Sequence, residues 1–235
     1  MNFQKVAVTL LTAAVLTLNG CSSEKEEKKP EQDVKQQPET KVEAKSEQQD
    51  TNQAPMMTTL VKEGVDYSVY TDKEASEKPV VFEFFSYTCP HCYNLEPVMQ
   101  DWKRNYKPEE VTFKQIPVFI PQVAHLTYGF YTAKELDVLE QVHLSIFTEW
   151  HEKGNVIRTK DQLIPIFENA GISKAKFEET YGSSEVEKQV EKAKSLLTEF
   201  QVTSFPLLVV NEKYKVMSYQ NLEELLGRFA INNTK

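Results

Sequence analysis

Val80-Val81-Phe82-Glu83-Phe84-Phe85-Ser86-Tyr87-Thr88-Cys89-Pro90-His91-Cys92 is the stretch on which the reading of this chain turns. Its first six residues form a nearly continuous apolar run, preceded by Lys78-Pro79, as expected of a central strand covered on both faces. Two cysteines separated by two residues follow it, one helical turn apart, near enough to close into a disulfide or clasp a metal. With Cys89 opening a helix, its sulfur meets unpaired N–H groups and the positive end of the helix dipole. Both favour a thiolate over a thiol, and the thiolate is the nucleophile of thiol–disulfide exchange.

The roles divide by depth. Cys89 is expected to be the attacking and attacked sulfur, and Cys92, one turn further in, the resolving thiol. His91 lies between them and can give charge or a hydrogen bond to the Cys89 thiolate. Stabilising that thiolate stabilises the reduced pair and makes its disulfide the stronger oxidant. Glu83 interrupts the apolar run, where a carboxylate is costly unless paired or protonated. It is expected to lie beneath the pair and to accept or relay the proton of Cys92, with Lys114 on the next strand as its partner.

Working outward, Val65 to Tyr70 alternates like a short strand, and Val111 to Phe119 reads as another. The helix after the cysteines carries Leu95 and Met99 on one side, and Pro97 inside it predicts a kink. From about 122 to 200 the pattern is mostly helical, with Val186, Val190, Ala193, Leu197 and Phe200 at helical spacing. Leu207 to Val210, a turn at Asn211-Glu212-Lys213, and Tyr214 to Met217 predict a hairpin; Leu222 to Phe229 predicts a closing helix. This order predicts an α/β, thioredoxin-like fold with an inserted helical domain.

Two segments carry a specific resemblance. Phe82-Glu83-Phe84-Phe85-Ser86-Tyr87-Thr88-Cys89-Pro90-His91-Cys92-Tyr93 resembles the active-site strand and helix of the DsbA family. Phe205-Pro206-Leu207-Leu208-Val209-Val210-Asn211-Glu212-Lys213-Tyr214 resembles that family's cis-proline loop and hairpin. The likeness covers the chain from about residue 60, giving a domain over 59–235. It implies an oxidoreductase that donates a Cys89–Cys92 disulfide to folding proteins, with no cofactor beyond that disulfide. It also implies a cis Pro206 facing the pair, backbone beside Phe205 that can bind an extended substrate, an acid at Glu83, and a membrane reoxidase of DsbB type. Phe205 stands where the family commonly carries a smaller valine or threonine.

The N-terminal part speaks to compartment. Lys5 followed by the largely apolar Val6 to Leu18 is too short for a comfortable membrane span and reads as a signal peptide over 1–20. Its end, Leu18-Asn19-Gly20-Cys21, resembles a lipoprotein signal, so Cys21 is expected to be lipidated; a soluble secreted protein cut nearby is the plainer alternative. Three cysteines is an odd number, and removing Cys21 to a lipid leaves Cys89 and Cys92 as the one dithiol. Ser22 to Thr58 holds nine acidic and six basic residues and no aromatic one. Such a segment cannot bury enough apolar surface to offset its ordering entropy, so 21–58 is expected to be a lipidated, disordered tether. A chain of that length typically spans about 35 Å.

Partners and rivals follow. A net charge of −8 disfavours nucleic acid; the expected partners are exported proteins with cysteines and the membrane, through the anchor, on the periplasmic side, with the chain a monomer. A reductase or isomerase of the same fold is one rival, although isomerases of this kind usually carry a dimerisation domain that the tether cannot supply. A peptide-binding assembly factor without redox turnover is another. His125, His143 and His151 are expected on the surface or in satisfied structural roles; no second cysteine pair or HxxxH spacing supports a zinc site. Tyr128, Phe130 and Tyr131 are expected to be core.

Overall fold

The computed structural model describes residues 61–231. The signal segment, Cys21 and the tether lie outside the described residues. The first two strands along the chain are β1 (Tyr67–Val69) and the buried β2 (Val80–Phe85), and helix α1 (Pro90–Asp101) follows β2 directly. Strand β3 (Thr112–Pro117) leads into the helical part: α2 (Ala124–Glu135), α3 (Leu139–Phe147), α4 (Ile164–Asn169), α5 (Lys174–Tyr181) and α6 (Ser184–Glu199). Strands β4 (Leu207–Val210) and β5 (Tyr214–Val216) and helix α7 (Leu222–Ile231) complete the element order.

The five strands form one mixed sheet in the order β1-β5-β4-β2-β3. β2 pairs parallel with β3 and antiparallel with β4, so every residue of the strand that delivers Cys89 is buried. The connection from β2 through α1 to β3 is the βαβ crossover that parallel pairing requires. β4 and β5 form the expected hairpin, with Asn211 and Glu212 at φ 48° and 59° supplying the left-handed turn. Asn211 also ties the sheet to α7. Its Oδ1 accepts from the Val80 N–H at 2.9 Å and its Nδ2 donates to the Phe229 carbonyl.

Two apolar cores flank the sheet. Val81, Leu208 and Val210 pack with Leu95, Met99 and Trp102 after the cysteines, and with Leu225 and Leu226 of α7. Phe82, Phe84 and Phe85 face the larger core, with Phe130, Ile146, Phe147, Val186 and Phe200 from the helical part. The stripe Val186, Val190, Ala193 of α6 is buried as its spacing predicts, and Ser183 caps that helix by accepting from the Val186 N–H at 3.3 Å. This is the α/β, thioredoxin-like fold with inserted helices between β3 and β4.

Three expectations need adjusting. The strands are shorter than the alternating runs, because Val65 is exposed and Val118 and Phe119 lie past the last β2 pairing. The 122–200 region breaks at Gly154 and Gly171, both at positive φ as punctuation residues should be, and also at Asp137, which the sequence did not mark. Helix α1 runs on through exposed Pro97 to Asp101 and then into a wide π-helical turn, Trp102–Tyr106. Phe130 and Tyr131 are buried as expected, and Tyr128 is partly covered, its hydroxyl donating to Glu187 Oε2 at 2.9 Å.

Candidate active site

Cys89 is the N-cap of α1, with extended backbone at φ −95° and ψ 116°. Its sulfur accepts from the Cys92 N–H at 3.4 Å, taking the place a serine or aspartate oxygen fills in ordinary caps. Pro90 at the first helical position sacrifices no bond, since that N–H has no partner in a helix. The helix therefore presents its unpaired donors and dipole to one atom, the Cys89 sulfur. Both cysteines are unpaired thiols here. Burial, first of all, pushes the Cys92 thiol well above its ordinary value; the Ser86 N–H, 3.5 Å from its sulfur, offsets only part of this. The pair is thus asymmetric, with Cys89 at the helix mouth and Cys92 sunk behind it. His91 stands exposed at the helix start.

The Phe205–Pro206 peptide bond is cis, and the Phe205 carbonyl lies 3.6 Å from the Cys89 sulfur. Tyr219 braces this loop by donating its hydroxyl to the Pro206 carbonyl at 2.8 Å. Of the two residues taken from the sequence for this loop, Phe205 reaches the Cys89 sulfur through its carbonyl, and Pro206 follows it across the cis bond.

Beneath the pair lies a buried polar cluster that the sequence reading caught only in part. Glu83 points to the α1 side of the sheet, where its Oε2 accepts from Gln115 Nε2 at 3.0 Å. The β2–β3 register sets Glu83 opposite Gln115 and Phe82 opposite Lys114. Lys114 is accordingly not the partner of Glu83; its ammonium lies over the Phe82 ring, 5.4 Å from the centroid. Burial, then the neighbouring Glu96 charge, raise the Glu83 carboxyl to about 8, with Gln115 pulling the other way. The Glu83 charge in turn adds to the upward push on Cys92.

Glu96, on the α1 turn after Cys92, behaves oppositely. Burial favours its neutral form, but hydrogen bonds and charge from His143, together with Gln100 and Lys103, outweigh that and hold it below the usual carboxylate range. Its oxygens accept from Gln100 at 2.6 Å, from Gln115 at 3.2 Å and from His143 Nε2 at 3.1 Å. His143 Nε2 also lies 3.2 Å from Gln115 Nε2, and its Nδ1 is 2.8 Å from the Tyr87 hydroxyl oxygen, so both ring nitrogens have polar partners. His143 is thus a satisfied buried histidine, as the sequence suggests, but it stands directly under the reactive turn. His151 is also close, its Nε2 2.8 Å from the Tyr87 carbonyl and its ring stacked on Tyr93. His125 is remote from this cluster, its Nε2 3.0 Å from the Ile157 carbonyl.

Tyr87, Glu96, Gln115 and His143 are the residues of this site that the sequence reading missed or left without a role. One signal was available: Cys92, Glu96 and Gln100 are four residues apart, a single face of one helix. Two adjacent buried carboxyls driven apart, one toward the neutral form and one toward the anion, are a familiar arrangement for moving protons.

A dithiol at a helix N-terminus after a central strand, opposed by a cis-proline loop, defines a thiol:disulfide oxidoreductase of thioredoxin-like fold. A DSBA-like thioredoxin domain matches residues 80–230, and the chain belongs to that family. It is 36% identical over 137 residues to the thiol:disulfide interchange protein DsbA of Azotobacter vinelandii, a match spanning 57% of this chain and 63% of that protein. It is 33% identical over 159 residues to DsbA of Pseudomonas aeruginosa, spanning 67% of this chain and 74% of the relative. The crystal structure of Pseudomonas aeruginosa DsbA superposes with a TM-score of 0.63 at 31% identity, covering 71% of this chain and 90% of that one.

Proposed function

We propose that this chain is an exported disulfide donor that oxidises folding proteins at Cys89. The observation that carries this reading is the asymmetric pair: one sulfur at the helix N-cap, taking the Cys92 N–H beside the Phe205 carbonyl, the other deeper behind it. In the oxidised protein a substrate thiolate attacks the Cys89 sulfur and the Cys89–Cys92 bond breaks. Cys92 leaves as a thiolate inside the fold, where burial makes the anion costly and a nearby proton valuable. Glu83, still protonated at neutral pH, supplies that proton, and Gln115 holds its carboxyl in place. A second substrate thiolate then attacks the substrate sulfur of the mixed disulfide and releases Cys89 as a thiolate. The substrate has lost two electrons and the Cys89–Cys92 pair has gained them.

The helix terminus favours that last leaving group, which tilts the couple toward oxidant. The disulfide is the redox group and no other cofactor takes part. The backbone at Phe205 and Pro206 offers an edge for an extended substrate peptide. A variant of Proteus mirabilis DsbA, 27% identical over the matched part, has been crystallised with a non-covalently bound peptide. The cycle closes by reoxidation at a membrane partner of DsbB type. Lipidation of Cys21 and the 37-residue segment from Ser22 to Thr58 would tether the domain to the periplasmic side of a bacterial membrane; among the described residues no helix is long and apolar enough to cross one.

The oxidised chain should convert a reduced dithiol peptide to its disulfide with matching loss of the Cys89–Cys92 bond, read by thiol counting and mass. Rapid rescue of a scrambled substrate with no net oxidation would favour the isomerase reading instead.

A further inference from the structure

A cavity of about 450 Å³ opens beside edge strand β3, between it and helices α2 and α6, on residues that the dithiol chemistry does not use as reactants. Its walls are apolar: Phe130 and Tyr131 are buried there, and Phe113, Leu139 and Leu196 are half-buried with a face toward the hollow. Four lysines and one carboxylate, Glu212, border it; Lys103 is drawn to Glu140 at 3.6 Å, which leaves Lys114 of β3, Lys134 of α2 and Lys192 of α6. The Lys114 ammonium lies 5.4 Å from the Phe82 centroid and that of Lys134 lies 5.8 Å from the Tyr131 centroid, so both stand over aromatic walls of the cavity.

Lys134 feels the other two. Burial, then the charges of Lys114 and Lys192, make the Lys134 ammonium easier to deprotonate, with Glu135 opposing weakly. Among the described residues none of the three forms an ion pair, whereas the neighbouring Lys103 meets Glu140 at 3.6 Å. Three cations without an ion pair outnumber the one lining carboxylate, Glu212, against the net charge of −8 of the whole chain. Repulsion among them disfavours the empty site, and one anion placed between them removes it. The volume suits one molecule of drug size and not a two-chain lipid.

We propose that this cavity binds a single-chain acyl carboxylate, with its head held by Lys114, Lys134 and Lys192 and its apolar body against Phe113, Leu139 and Leu196. The test is calorimetric titration of the full chain with dodecanoate, below the concentration at which it forms micelles. Dodecanol, dodecyltrimethylammonium and inorganic phosphate serve as comparison probes. Dodecanoate should bind one per chain, at least about tenfold more tightly than each comparison probe. The combined variant Lys114→Gln, Lys134→Gln, Lys192→Gln should weaken it by about tenfold or more while oxidising a dithiol peptide at the parent rate. Leu196→Gln, which leaves the lysines in place, should weaken dodecanoate as well. Equal binding of dodecanol or of the cationic probe would overturn the proposal, as would phosphate binding as tightly as dodecanoate or affinity unchanged in the lysine variant. Displacement of dodecanoate by a peptide of residues 22–58 would also overturn it, assigning the cavity to the chain's own N-terminal segment.

Discussion

Replacing Cys89 by alanine should abolish oxidation of a dithiol peptide, with a loss of at least about 1,000-fold, because the nucleophile and leaving group are the same atom. Cys92→Ala should fail differently. Its Cys89 still sits at the helix mouth and still meets substrate, but no buried sulfur waits behind it to break the mixed disulfide. Reduced Cys92→Ala, mixed with a peptide carrying an activated disulfide, should therefore accumulate one peptide per chain, stable to gel filtration and removed by reductant. The parent should release the same peptide and end with its own pair oxidised. Mass spectrometry under acid quench reads both outcomes. A Cys89→Ala chain that kept its cellular function would instead support the peptide-binding reading and remove any redox role.

Glu83→Gln should abolish a pH dependence of stability in the reduced protein. Glu83 keeps its proton in the fold up to about 8, whereas its ordinary value is 4.5. Below the ordinary value both folded and unfolded chains hold the proton and burial of Glu83 carries no ionisation penalty. Between 4.5 and about 8 the fold holds a proton that the unfolded chain has lost, so stability falls as pH rises. Above that window both states are ionised and the loss is complete. At 1.36 kcal/mol per unit, the fall between 4.5 and 7 is up to about 3 kcal/mol. Glutamine keeps an oxygen for Gln115 but cannot ionise, so urea titrations across this range should show a flatter profile and a variant that gains on the parent as pH rises. Glu96 contributes with the opposite slope, lost as pH falls through its lowered value, and both proteins share it. Parallel profiles for parent and variant would mean that Glu83 ionises in the fold like an exposed carboxylate.

Much of this architecture was legible because the decisive signals are local. The six-residue apolar run, the two cysteines and Pro90 at the first helical position specify strand, nucleophile and helix start from adjacent residues. The β4–β5 hairpin could be read for the same reason, since Asn211 and Glu212 sit between two short apolar runs. Glu83 stood out as one charge among apolar neighbours. Its partner did not, because that depends on the β2–β3 register. Lys114 and Gln115 are consecutive and face opposite sides of the sheet, so a one-residue difference exchanges a cation over Phe82 for an amide at the carboxylate. Charge argued for Lys114, but pairing geometry chose Gln115. His143 was harder still. It lies more than fifty residues after Tyr87 on an inserted helix, and only tertiary packing brings its ring under the reactive turn. The cis bond before Pro206 was legible through family resemblance alone, since nothing in Phe205-Pro206 itself distinguishes it from a trans proline entering a strand.

The reduction potential of the Cys89–Cys92 couple, measured by equilibration with glutathione at pH 7, tests the central claim most directly. A helix terminus aimed at the Cys89 sulfur and a proton source beneath Cys92 predict a stabilised reduced form and a potential of about −120 mV. A value near about −270 mV would place the couple with reductants and contradict the proposal that this chain donates disulfides.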